Sequence, residues 1–258
     1  MLEPMFEWAR VVYHGTACDL PGVAIPYDRF IPAMWRAVQE GFVSPLYAEM
    51  TAQWLRWGVD AGIPPGSLRG QRVFQNYESS VSEAARVRVA DATAARVAGG
   101  RTLDLGRWHG GMRGLLARAF RDFFIFPLGA VAKKLEPDAL RATDDHTRTG
   151  FNAATDMTLL THSLNTLKEI ATLFLPGWSM HVTDVEAAFP MLPLAPRLWP
   201  FFLHRFYPVG QEHLNLYGHI NGDFGTRGFP GVFKIFFVEV VLNMARAAKV
   251  LEGPMPAF

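Results

Sequence analysis

Cysteine is all but missing from the 258-residue chain, where Cys18 stands alone. A single thiol cannot close an internal disulfide, so the fold depends on its core, and a cysteine-built zinc site is excluded. Cys18 also has no partner base identifiable from sequence, which argues against a nucleophilic role. Excess charge of either sign is missing too. Twenty-five Lys and Arg face 24 Asp and Glu, for a formal net charge of +1. A strongly basic nucleic-acid coat is thereby excluded, although a local basic groove is not. The start, Met1-Leu2-Glu3-Pro4, lacks the basic and apolar stretches of a signal peptide. Long apolar runs are absent: that from Phe123 to Val131 is too short to span a bilayer. The one from Val232 to Leu251 is interrupted by Lys234, Glu239, Arg246 and Lys249. These features imply no membrane partner and a cytoplasmic or nuclear location. Finally, the chain carries no G-x-S-x-G elbow, Walker-type loop, G-x-G-x-x-G or H-E-x-x-H sequence.

What is present is a large apolar inventory. Half of the residues are hydrophobic and 20 are phenylalanine, enough to exclude disorder as the main state. The first half reads as helix, with helical apolar spacing over Pro32–Glu40 and Leu46–Val59 and a break at Gly62-Ile63-Pro64-Pro65-Gly66. Ser80 and Glu83 have capping-box spacing, followed by Ala84, Val87, Ala90, Ala94 and Val97 on one face and a stop at Gly99-Gly100. A short basic helix is expected after Gly110-Gly111. Aromatic and branched residues then suggest strands at Phe123–Phe126, Leu128–Val131 and Ala139–Thr143. Thr155-Asp156 can cap a helix with Leu160, Leu164, Leu167, Ile170 and Phe174 on one face. Further strands are expected at Met180–Val185, Trp199–Phe206 and His213–His219, then a helix over Val232–Leu251. The expected class is α+β: a helical amino-terminal region over 1–110, then strands packed on helices over 111–258. His213 and His219 lie an even number of residues apart, so one strand could present both on one face. With no repeated ligand spacing among His181, His204, His213 and His219, ordinary structural histidines are the preferred reading.

One ordered set of motifs is more specific. After Leu175-Pro176-Gly177 come Trp178-Ser179-Met180-His181-Val182-Thr183-Asp184 and, five positions on, Phe189. An acid at a strand end ahead of an aromatic resembles motif A of reverse transcriptases. Phe224-Gly225-Thr226-Arg227-Gly228-Phe229-Pro230, opening a long helix, resembles their motif B. Upstream, Pro127-Leu128-Gly129-Ala130-Val131-Ala132-Lys133-Lys134, with Arg141 and Asp145, resembles the strands of the fingers. The nearest flavour is the enzyme of tyrosine-recombinase (DIRS-like) retrotransposons, a likeness that runs from about Phe123 onward.

The resemblance implies an RNA-directed DNA polymerase: fingers and part of a palm with antiparallel strands. It would act on an RNA or DNA template–primer and deoxynucleoside triphosphates through two magnesium ions. Asp184 would ligate the metals, with the Val185 carbonyl as a further ligand, since hard cations take oxygen donors. Lys133 or Lys134, with Arg141, would hold the triphosphate by charge-assisted hydrogen bonds. Phe189 would lie under the incoming sugar, and Phe224 and Gly225 under the nascent base pair. Phe229 departs from the family pattern, which has a small residue before the proline. The Tyr/Phe-x-Asp-Asp strand expected after the motif B helix is also missing, and neither Asp223 nor Glu239 occupies an equivalent position. The chain is accordingly expected to be inactive by itself unless another chain completes the palm. The alternative is a non-catalytic nucleic-acid- or protein-binding fragment of a mobile element.

Overall fold

The computed structural model of the protein describes residues 27–133, 136–162 and 188–250. The chain is mixed α and β, as the alternation of sequence periods requires. Helices α1 (Tyr27–Gln39) and α2 (Pro45–Trp57) come first. Ser44 and Pro45 start α2, because proline at the first helical position gives up only an N–H that has no helical partner. Gly58, at φ 84°, ends it. A Cβ at Gly58 would collide with the backbone of Leu194 and Ala195, so the missing side chain lets Val59 form a parallel bridge with Leu194.

Next come β1 (Gln71–Val73), the short α3 (Glu78–Val81), α4 (Glu83–Ala98), β2 (Thr102–Arg107) and α5 (Met112–Ala119). Strands β3 (Phe123–Phe126), β4 (Leu128–Lys133) and β5 (Glu136–Asp144) follow as expected from the aromatic and branched runs. After a 3-10 turn over Pro196–Phe201 come β6 (Leu203–Phe206) and β7 (Asn215–His219). The strand expected from Trp199 therefore begins only at Leu203, its first part being wound by Pro196 and Pro200.

The five-stranded sheet has the order β1-β3-β6-β7-β2. Pairs β1–β3 and β3–β6 are parallel, whereas β6–β7 and β7–β2 are antiparallel. The sheet is thus mixed rather than wholly antiparallel. Long crossovers make the parallel pairs possible: α3, α4, β2 and α5 separate β1 from β3, and the β4–β5 hairpin and later chain separate β3 from β6. Strands from both sides of Gly110 share this sheet.

Central β3, Phe123-Phe124-Ile125-Phe126, is buried throughout, as a strand covered on both faces must be. Phe123 and Ile125 enter a cluster with Leu116, Leu203 and Leu216. Phe124 points the other way into the main core with Trp54, Phe151, Phe202 and Phe229, in keeping with a period of two. Strands β4 and β5 form a separate antiparallel hairpin. Its base, Leu128–Ala130, is buried and its outer part, Val131–Lys133, is exposed.

Two local expectations are corrected. Helix α4 begins at Glu83 with Ser82 at the N-cap, and no side-chain cap bond forms, so the Ser80–Glu83 capping box is absent. Instead, the buried Ser80 hydroxyl donates to the Tyr77 and Leu128 carbonyls, a tertiary use that outcompetes the local cap. The buried face of α4 is Ala85, Val89, Ala90 and Thr93, whereas Val87 is exposed. Apolar spacing alone did not distinguish two neighbouring faces of an alanine-rich helix.

The carboxy-terminal helix runs as α6 (Phe229–Phe233), a wide π turn over Lys234–Leu242 and α7 (Asn243–Ala247). Phe236 stacks on Phe30 with ring centroids 5.9 Å apart, which fastens this helix to α1. The helix expected from Leu160 to Phe174 and the strand expected at Met180–Val185 lie largely or wholly outside the described residues. Among the described residues, no helix is long and apolar enough to cross a membrane.

Candidate functional site

The end of β5, the start of the following loop and the turn before α6 converge on one buried polar cluster. Strand β5 brings Asp144, β7 brings His219, α4 brings Arg96 and β2 brings Thr102. The Thr102 hydroxyl is 2.7 Å from His219 Nδ1. Arg96 Nη1 lies 3.3 Å from both Asp144 Oδ2 and His219 Nε2. A guanidinium can only donate, so Nε2 accepts and Nδ1 carries the proton toward Thr102. His146 Nε2 stands 2.5 Å from Asp223 Oδ2. The other Asp223 oxygen accepts from the Gly225 amide at 3.1 Å and the Thr226 hydroxyl at 2.8 Å.

Burial decides the electrostatics. The Asp144 side chain is 1% exposed and that of Arg96 23%. Burial opposes ionisation of Asp144, but the Arg96 guanidinium outweighs it and holds the carboxyl far below the usual range. Burial likewise disfavours the charged form of His146, yet the Asp223 carboxylate beside it raises its pKa above 6.5. His204 has no such partner. Burial holds its pKa well below 6.5. Its ring stacks on Tyr217 at 5.3 Å and meets His219 at 4.6 Å, and its Nδ1 has no hydrogen-bond partner.

Asp144, His219 and Asp223 offer ligand atoms all within 4.8 Å of one another, a buried group that could hold a metal ion. Asp144 Oδ1 lacks a hydrogen-bond partner there. The donor set does not suit magnesium, which keeps several waters and prefers oxygen ligands. These three residues are buried, one is an imidazole, and Arg96 already supplies a cation at 3.3 Å from two of them.

The residues singled out from sequence fall into three groups. Lys133 and Arg141 are exposed on the outer part of the β4–β5 hairpin, where Arg141 pairs with Val131. Phe189, Phe224 and Gly225 come together beside the hairpin base. The Phe189 ring lies 4.9 Å from Phe224 and 5.8 Å from Phe233. Gly225 packs so tightly on Asp144 that a Cβ would overlap the Asp144 carbonyl, with the His146 ring 3.0 Å away. Only glycine allows the turn to approach the end of β5 this closely. Lys134, Asp184 and Val185 lie outside the described residues. Of the histidine pair considered from sequence, His219 joins the cluster, whereas His213 precedes β7.

Sequence reasoning missed Arg96, His146, Asn152 and the partners of Asp223. The spacing Asp223-x-x-Thr226, in which a carboxylate can cap its own turn, was a usable local signal. Nothing local points to Asn152 or Arg96, whose partners are 73 and 48 residues away in sequence. No protein-family model matches the chain, and no curated protein matches it.

Proposed function

We propose that the chain is a reverse-transcriptase-like module that binds a template–primer and a deoxynucleoside triphosphate between its fingers hairpin and its glycine turn. One juxtaposition carries the reading. Three segments far apart in sequence, the base of the β4–β5 hairpin, Phe189 and Phe224-Gly225, meet at one place. The lysine and arginine on the exposed end of that hairpin suit a polyphosphate, whose charge-assisted hydrogen bonds they would satisfy. Phe224, 57% exposed, offers an aromatic face to a base pair, and Phe189 behind it offers bulk against a ribose 2′-hydroxyl.

In this reading Lys133, Lys134 and Arg141 hold the triphosphate, Phe189 discriminates the sugar, and Phe224 with Gly225 supports the pair. Asp184, with the Val185 carbonyl, is the place for magnesium, which when bound would offset the charge of the reacting phosphates. The Asp144–His219–Asp223 cluster is assigned no part in nucleotidyl transfer, since its donors do not fit that ion. No Tyr/Phe-x-Asp-Asp sequence occurs among the 258 residues, so a further acidic pair would have to be supplied from outside them.

Binding is tested with a fluorescent RNA–DNA primer–template, titrated in magnesium at several salt concentrations. The expected result is an affinity that falls steeply with salt, as phosphate neutralisation by Lys and Arg requires. The Lys133→Ala/Arg141→Ala double variant should bind the next complementary deoxynucleotide at least about tenfold more weakly, roughly the loss of one charge-assisted contact. Template–primer binding with no added affinity from the next complementary deoxynucleotide, unchanged by Asp184→Asn, would favour the non-catalytic alternative. Absence of any template–primer binding would remove the polymerase reading and leave only the protein-binding form of the alternative.

A further inference from the structure

The glycine turn has no regular secondary structure of its own, yet two side chains from the loop after β5 hold it. Near the start of that loop His146 binds Asp223, whose second oxygen then takes the Gly225 amide and the Thr226 hydroxyl. Near its end Asn152 Nδ2 donates to the Gly225 carbonyl at 3.0 Å, and Asn152 Oδ1 accepts from the Arg227 amide at 2.9 Å. One carboxamide thus satisfies a backbone acceptor and a backbone donor two residues apart, much as a neighbouring strand would. Asn152 is itself steadied by the Thr147 hydroxyl, 3.0 Å from Nδ2, and the Thr149 hydroxyl donates to the His146 carbonyl at 2.9 Å, which keeps the loop wound.

Just ahead of the bonds made by Asn152 sits Phe224, the most exposed ring of the cluster, 4.9 Å from Phe189. Rotating either peptide of the turn would break a bond to Asn152 and tilt that ring. We infer that Asn152 is a positioning residue, which sets the Phe224–Gly225 platform relative to the hairpin bearing Lys133 and Arg141. It touches neither nucleotide nor phosphate in this account and acts through the turn alone. The ligand named here rests on the polymerase reading, whereas the fixing of the turn does not.

The test uses the full chain with Asn152→Ala and Asn152→Asp, read by hydrogen exchange and by nucleotide binding. Asn152→Asp keeps an acceptor for the Arg227 amide but loses the donor to the Gly225 carbonyl. In Asn152→Ala, exchange at the Arg227 amide should accelerate by about tenfold, the equivalent of one net hydrogen bond. In Asn152→Asp it should stay within about threefold of native. Primer–template affinity should be unchanged in both, while the extra affinity conferred by the next complementary deoxynucleotide should be lost in the alanine variant and partly retained in the aspartate one. A merely structural role would weaken both kinds of binding together and would not be rescued by Asp. Native exchange at Arg227 in Asn152→Ala, or an intact nucleotide increment despite fast exchange, would overturn the inference. If native protein shows no nucleotide increment, the polymerase reading fails, and the exchange rates alone decide whether Asn152 fixes the turn.

Discussion

Replacing Arg96 with Met should expose how much of the fold rests on one buried ion pair. Arg96 Nη1 lies 3.3 Å from Asp144 Oδ2, and the Asp144 side chain is 1% exposed. Two unit charges about 4 Å apart attract by about 4 kcal/mol at an effective dielectric of about 20. The 23% exposure of Arg96 lets water recover some of that, while loss of its bond to His219 adds a little back. The expected destabilisation is about 3 kcal/mol at pH 7, at the low end of what breaking a buried pair costs. In a domain of this size that is roughly 6–12 °C in Tm. The sign of the pH dependence follows from the depressed Asp144 carboxyl. Its contribution is present above the ordinary carboxylate pKa and is lost as pH falls through the folded value. Without Arg96 the largest influence opposing burial is gone, so in Arg96→Met the carboxyl takes a proton at higher pH. The gap between native and variant should therefore narrow from pH 7 to pH 5, and Arg96→Met/Asp144→Asn should regain most of the loss. Urea unfolding at the two pH values reads this directly. A gap below about 0.5 kcal/mol at pH 7, or one equal at both pH values, would refute the reasoning.

Two other changes have definite expected outcomes. Gly225→Ala places a methyl on the Asp144 carbonyl, and because both partners are backbone neither can swing aside. It should cost about 1–3 kcal/mol in urea unfolding and free the turn to exchange, and full native stability would contradict the close approach. His204→Phe keeps the ring stack but removes a histidine whose pKa is held well below 6.5. Unfolded His204 binds a proton that the folded one refuses, so native stability drops as pH falls below about 6.5, by up to about 1.4 kcal/mol per unit. The variant should lose correspondingly less between pH 6.5 and 5, and an unchanged slope there would show that His204 titrates normally. His146 acts in the opposite sense, because its raised pKa contributes stability below about 6.5 that is lost as pH rises through the folded value.

Much of the fold could be read from local pattern. The aromatic and branched run at Phe123–Phe126 announced a strand, which the fold buries on both faces, and Leu128–Val131 with Ala139–Thr143 announced the strands of the hairpin. Gly99 and Gly100 marked the end of α4, Gly100 with positive φ, whereas α2 ends at Gly58, inside the span expected to be helical. The pairing order was not legible, because β1 and β6 reach β3 only through long parallel crossovers that leave no trace in spacing. Tertiary bonds also displaced the Ser80 cap, since a buried hydroxyl serves the hairpin better than an exposed helix end. Phe189, Phe224 and Gly225 were singled out by resemblance, and in the fold the Phe189 ring lies beside Phe224 while Gly225 packs on Asp144. The Arg96–Asp144–His219 network and the Asn152 contact were not, because each joins residues on elements that only folding makes neighbours.

The proposed function has the hairpin and the glycine turn face one nucleotide. Its most direct test is photocrosslinking of an azido-base deoxynucleoside triphosphate, bound opposite its template complement in magnesium, followed by peptide mapping. Adducts are expected on peptides containing Phe189 or Phe224-Gly225, competed away by the matching natural triphosphate and absent with a mismatched template. Labelling scattered over the surface, or confined to the α1 and α2 peptides, would contradict it.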